Sequence, residues 1–200
     1  MKIFLPLSFL LILFVDSCST ETQPKLRTSN KQLQSNFDSC LRTTQQLIKT
    51  QVSDKEFYKY FNFDTRATGF EYDNVVLSVA DTLSTMPKTY QIFYDFIFKG
   101  DTISSFRADF DSTLKSIDYR KFHLTAFRQF IDKKLTITNS IATDIAVRNG
   151  MKREGLEPIL NYSSDRFYWE CKNDCDGCLY LDIDAKTGNI IGEGKVVYQY

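Results

Sequence analysis

Cysteine is the residue type in this chain whose spacing could do chemistry. Cys171, Cys175 and Cys178 form a Cys-x3-Cys-x2-Cys cluster within Cys171-Lys172-Asn173-Asp174-Cys175-Asp176-Gly177-Cys178, and Cys40 stands far upstream. In an oxidising compartment these four thiols make a disulfide framework with three complete pairings. Cys171 and Cys178 would end and begin neighbouring strands, so a hairpin sets them nearly opposite and within bridging range, leaving Cys175 to reach Cys40. The bridged loop would present Lys172, Asn173, Asp174 and Asp176 to a partner, with less ordering entropy lost on binding. Two other chemistries use the same thiols. Zinc could be held by the cluster with Cys40 or His123 as fourth ligand, although the paired Cys-x2-Cys knuckles of such sites are missing. Redox exchange would need a free thiolate.

Other residues carry weaker signals. His123 is the lone imidazole, and no serine sits in a nucleophile elbow, so a catalytic triad has little to build on. Asp182, Asp184 and Asn189 have a calcium-loop flavour, but Lys186 stands where an oxygen ligand is needed, so turn residues are expected. The aromatic run from Tyr58 to Phe63 favours packing over glycan stacking. Asn161-Tyr162-Ser163 would be a glycosylation site only in a eukaryotic host. The expectation is a chain without catalytic residues, bound metal or cofactor.

The first 18 residues give an address. Met1-Lys2 is a short positive start, Ile3 to Val15 is apolar except for Pro6 and Ser8, and the stretch is too short for a mature spanning helix. It ends Leu13-Phe14-Val15-Asp16-Ser17-Cys18, which resembles the bacterial lipobox, with Asp16 departing from the usual small residue. That resemblance implies cleavage before Cys18 and lipid on its thiol and new N-terminus, holding the protein to a membrane of the bacterial envelope, on the periplasmic side or the cell surface. The alternative is an ordinary secretory signal cleaved nearby.

The elements that must position these residues follow from composition and period. The 200 residues carry 25 Lys+Arg against 25 Asp+Glu, which removes the basic field of a general nucleic-acid binder, and 42% hydrophobic residues can bury a core. Residues 1–17 read as signal, 18–30 as a polar tether, 31–118 as an N-terminal helix followed by a helix-hairpin region, and 119–200 as a C-terminal unit. Leu33, Phe37, Cys40, Leu41, Thr44, Leu47 and Ile48 share a helix face. Asp73-Asn74 is placed to cap a helix carrying Val75, Val76, Val79, Ala80, Leu83 and Met86, stopped by Pro87. Alternation through Tyr90–Phe98 and Phe106–Phe110 around Lys99-Gly100-Asp101 predicts a β-hairpin. A helix is expected between Leu114 and Leu135, another from Thr138 to Gly150, and strands at Leu156–Tyr162, Arg166–Cys171, Cys178–Asp184 and from Ile190 onward. In the third of these, Leu179, Leu181 and Ile183 face the core while Tyr180, Asp182 and Asp184 face water. The whole is an α+β fold with helices packed on antiparallel sheet, in which helix-then-hairpin occurs twice.

The C-terminal unit resembles the PepSY-like module of exported bacterial proteins. The resemblance rests on the helix Ile141 to Gly150, on Phe167-Tyr168-Trp169-Glu170, on Leu181-Asp182-Ile183-Asp184, and on the turn Asp184-Ala185-Lys186-Thr187-Gly188 leading into Asn189-Ile190-Ile191. Within it Trp169 and Gly188 are structural: one is an apolar anchor between helix and sheet, the other a turn residue free to take positive φ. The resemblance implies a PepSY-like or cystatin-like packing and a link to peptidase regulation, with a peptidase or another envelope protein as partner. The cysteine-rich insertion departs from that family. The expected function is therefore a lipid-anchored binding or inhibitory module, and the alternative is a small envelope redox or metal-binding protein acting through Cys171, Cys175 and Cys178.

Overall fold

The structure, a computed structural model, describes residues 24–73, 75–119, 121–173 and 177–196. Cys18, Asp174, Cys175 and Asp176 lie outside them. Among the described residues the chain is α+β, with four helices and two antiparallel sheets.

The first helix, α1 (Lys31–Lys49), begins where the Asn30 side chain accepts the N–H groups of Gln32 and Leu33, two of the donors a helix start leaves unpaired. Its stripe of Leu33, Phe37, Cys40, Leu41, Thr44 and Ile48 is buried. A reciprocal Ser53–Glu56 capping box starts α2 (Asp54–Tyr60), which passes directly into strand β1 (Phe61–Phe63). The aromatic run is thus half helix and half strand, and it is core: the Phe57 and Phe61 rings stack at 5.7 Å, and Phe61 lies 5.2 Å from Phe96.

Strands β2 (Gly69–Glu71), β3 (Val76–Ser78), β4 (Thr89–Phe98), β5 (Asp101–Asp111) and β6 (Ser116–Tyr119) form the larger sheet in the order β3-β2-β4-β5-β6, with β1 also paired to β4. The β4–β5 hairpin turns through Lys99 and Gly100, both at positive φ, the two-residue turn whose twist matches that of the strands. Tyr90, Ile92, Tyr94, Phe96 and Phe98 alternate into the core beneath α1 and α3 (Lys121–Ile131).

Helix α4 (Asn139–Arg148) packs on the smaller sheet, made of β7 (Ile159–Ser163), β8 (Arg166–Lys172), β9 (Leu179–Asp184) and β10 (Ile190–Lys195) in the order β10-β9-β8-β7. Contacts of β5 with both α4 and β7 bring the two sheets together. Trp169 is fully buried beside Phe167 and Cys171 on the inward face of β8, and its indole N–H donates to the Ile137 carbonyl at 2.8 Å.

Five expectations are corrected. No helix forms after Asp73: β3 and turns take that place, with Val75 and Val76 exposed while Val79 and Leu83 are buried. The Asp81 carboxylate accepts both the Ser78 N–H and its hydroxyl, and such local side-chain bonds compete with a helix that β-branched Val75 and Val76 support poorly. The repetition of helix-then-hairpin fails with that helix. Residues 24–30 are not a free tether, because Leu26 is buried and Arg27 bridges Thr82. The helix expected between Leu114 and Leu135 is shorter, with β6 ahead of it, and the strand expected from Leu156 starts at Ile159, after Pro158, which has no N–H to give a ladder.

Candidate functional site

The cysteines do not assemble as expected. Cys40 and Cys171 are both free, buried thiols, so neither the Cys171–Cys178 nor the Cys40–Cys175 bridge forms. Register gives the reason: Cys171 pairs with Leu181 and Lys172 with Tyr180, so Cys178 falls about three strand positions, roughly 10 Å, beyond the residue opposite Cys171. No disulfide joins two described cysteines, and Cys178 is not a free thiol. Burial pushes both free thiols up to about 12, so Cys171 offers no accessible thiolate for redox exchange in the native fold.

The loop residues proposed for partner contact are divided. The Lys172 ammonium pairs with Glu170 at 3.0 Å, and the Asn173 amide donates to the carbonyls of Lys152 and Glu154, both at 3.2 Å, so each is engaged by its own chain. Asp174 and Asp176 lie outside the described residues. His123 is buried with Nδ1 3.1 Å from the Ser105 carbonyl. Asp184 is a turn residue: its carboxylate accepts the N–H groups of Lys186 and Thr187 and the Thr187 hydroxyl. Burial pushes that carboxyl up, but these donors outweigh it and hold it below its ordinary value.

The residues that do converge lie on the face of the smaller sheet away from α4. Because strand side chains alternate, β8 sends Tyr168, Glu170 and Lys172 to that face and β9 sends Tyr180, Asp182 and Asp184. Glu170 and Asp182 are direct cross-strand partners, two carboxylates in one register position. Glu170 is satisfied by Lys172 and by the Asn161 amide at 3.0 Å. Asp182 has no hydrogen-bond or ion-pair partner among the described residues. Burial first, and then the facing Glu170 carboxylate, pushes its carboxyl above the ordinary value.

On its other side the register partner of Asp182 on β10 is Gly192, which carries no side chain. A Cβ at 192 would stand 2.8 Å from a carboxylate oxygen of Asp182, and one at 194 would stand 2.5 Å from the Tyr180 ring. Asp182 and Tyr180 therefore lean across β10 over the two glycines. Two hollows share Tyr168 and Asp182. One of about 310 Å³ is bounded by Ser163, Arg166 and Ile191, the other of about 280 Å³ by Glu170, Lys172 and Tyr180. Arrangement and chemistry suit the holding of a cationic group: a carboxylate without a described counter-charge, in hollows that Tyr168 and Tyr180 help to line. The sequence had put Tyr180, Asp182 and Asp184 on the wet face, but not the part played by Gly192-Glu193-Gly194. Glycine at alternate positions in a strand was the available signal of a close approach.

No protein-family model matches the chain, and no curated protein matches it, so the PepSY-like resemblance rests on the residues quoted for it. Among solved structures, the chain is similar to one titled a "putative lipoprotein (CD1622)" from Clostridium difficile 630, at 14% identity and a TM-score of 0.30, over 71% of this chain and 87% of that one.

Proposed function

We propose that this chain is a lipid-anchored binding module of the bacterial envelope, without catalysis of its own, and that the open face of the β7–β10 sheet is where it holds its partner. The observation that carries the reading is Asp182: a carboxylate with no partner among the described residues, near Tyr168 and Tyr180 on a face that no described helix covers. The chain keeps a charge there that costs it stability, and burial of apolar area cannot explain that, whereas recognition of a partner can. Anchoring is supported by the lipobox residues ending at Cys18, and no helix of the described residues is long and apolar enough to cross a membrane. Peptidase regulation is the finer form of the reading, and it is supported by the PepSY-like residues alone.

The anchor is tested by expressing the full chain in a bacterium that processes lipoproteins. The protein should partition with membranes, with an intact mass showing acylated Cys18 as its first residue, and Cys18→Ala should leave the membrane fraction. Equal membrane retention of Cys18→Ala removes the anchor. The finer reading expects slower peptide hydrolysis by a metallopeptidase of the same envelope when the module is added, and an unchanged rate with every such peptidase removes it.

A further inference from the structure

The outer edge of β10 and the open face behind it belong to one surface. β10 ends the strand order of its sheet, and no described strand pairs with its far side. The N–H of Val196 donates inward to Cys178, and its carbonyl accepts from Gly177, both at 2.8 Å. By alternation the N–H and C=O groups of Glu193 and Lys195 point outward, free to take another strand.

We propose that β10 receives an extended peptide segment of another protein as an added antiparallel or parallel strand, and that a lysine or arginine of that segment reaches over Gly192 to the Asp182 carboxylate. The proposal rests on the binding-module reading and names the partner's chemistry. An added strand would run about 4.8 Å outside β10 and about 9.6 Å from β9, which carries Asp182. A side chain at position 192 would stand between them. Glycine there clears the path, and the carboxylate already leans toward the edge. A second cation, or an aromatic residue, two positions along the added strand would lie over Gly194 against the Tyr180 ring.

Charge selects this occupant. The groups facing Asp182 are Glu170 across the ladder, Lys172 bound to Glu170, Asp184 bound to its own turn, Arg166 at the rim beside Asp184, and Tyr168 and Tyr180. None gives Asp182 a counter-ion, so an incoming ammonium or guanidinium is matched and an incoming carboxylate is repelled. A second copy of this chain fits less well. Its Lys195 pairs with Leu179, an inward-face position, and so belongs to the α4 side of the sheet.

The test uses two labelled peptides of about eight strand-forming residues, one with lysine at alternate positions and one with glutamate, titrated into the full mature chain by fluorescence anisotropy. Backbone hydrogen exchange is followed on the complex. The lysine peptide should bind, weaken as salt rises, and slow exchange at Glu193 and Lys195, while the glutamate peptide does not bind. Asp182→Asn, which keeps shape and fold, should weaken the lysine peptide about tenfold or more. Gly192→Val should abolish binding, with its circular dichroism compared against that of Asp182→Asn to separate a blocked path from misfolding. Equal affinity for the two peptides, no binding of either, unchanged affinity in Asp182→Asn, or self-association through β10 in light scattering would overturn the proposal. Binding without protection of Glu193 and Lys195 would overturn the edge alone and leave a binding module. Loss of the lipid anchor would be seen only in the fractionation of Cys18→Ala.

Discussion

Glu170 and Asp182 face one another directly across β8 and β9, on the solvent side of the sheet, and among the described residues only Glu170 has a counter-ion. Like charges in that register oppose pairing. The strands pair nonetheless because their inward residues, Trp169, Cys171, Leu181 and Ile183, are fully buried and fix the register from the other face.

A pH dependence follows, with a definite sign. Asp182 has its folded carboxyl pushed above the ordinary value of 3.8, by burial first and then by Glu170. Between 3.8 and that raised value the native chain binds more protons than the unfolded one, so stability falls as pH rises through the window and stays lower above it. Asp182→Asn should remove this slope and stabilise the protein near neutral pH by up to about 1 kcal/mol. Urea titrations of wild type and variant from pH 3 upward read the difference. A variant that is less stable at neutral pH, or that keeps the slope, contradicts the account.

Trp169 joins α4 and the preceding loop to the smaller sheet through both its ring and its N–H. Trp169→Phe keeps most of the apolar volume but strands the Ile137 carbonyl, for a loss of about 1 to 3 kcal/mol. Trp169→Ala adds a cavity and should cost about 3 to 5 kcal/mol. Wild-type emission should be blue-shifted and poorly quenched by iodide. Equal stability of the two variants would mean that the hydrogen bond alone matters.

The fold was most legible where one periodicity acted alone. The 3.6-residue stripe of Leu33, Phe37 and Leu41 and the alternation of Tyr90 to Phe98 each have one face to bury, so period determines element. It failed at Val75 to Met86, where Asp81, Ser78 and the Arg27–Thr82 bridge decide the backbone through contacts that hydropathy does not register. The candidate site was half legible. Alternation put Asp182 and Tyr180 on the wet side, but the Cys171 pairing required a register that sequence alone leaves open. A hairpin closed three residues tighter would have matched Cys171 with Cys178. The inward set of β9 had instead to align Leu181 with Cys171 and Ile183 with Trp169.

The buried thiols should be silent until the fold opens. Cys40 and Cys171 are at most 1% exposed, and their thiols are pushed up to about 12, so native protein at pH 8 should leave both unmodified by iodoacetamide for hours. In denaturant without reductant both should alkylate, as read by peptide mass mapping. A Cys171–Cys178 cross-linked peptide in that map would restore the bridge that the register excludes.

Gly188 offers the sharpest test of the turn that leads into β10. It sits at φ +77°, and a Cβ there would lie 3.2 Å from the terminal methyl groups of both Ile137 and Ile145. Gly188→Ala therefore suffers twice, from a left-handed backbone that L side chains resist and from crowding against α4 and the loop before it. A loss of about 1 to 3 kcal/mol is expected. Shortening the neighbours separates the two causes: Ile145→Val in the Gly188→Ala background should recover part of the loss, because Val has no Cδ1. The same Ile145→Val change in wild type should destabilise by about 0.5 to 1.5 kcal/mol. Thermal denaturation of the four chains closes a double-mutant cycle. Additive effects would leave backbone strain as the whole cost, whereas a favourable coupling would show that the turn is pressed against the helix, so that the position of β10 depends on that contact.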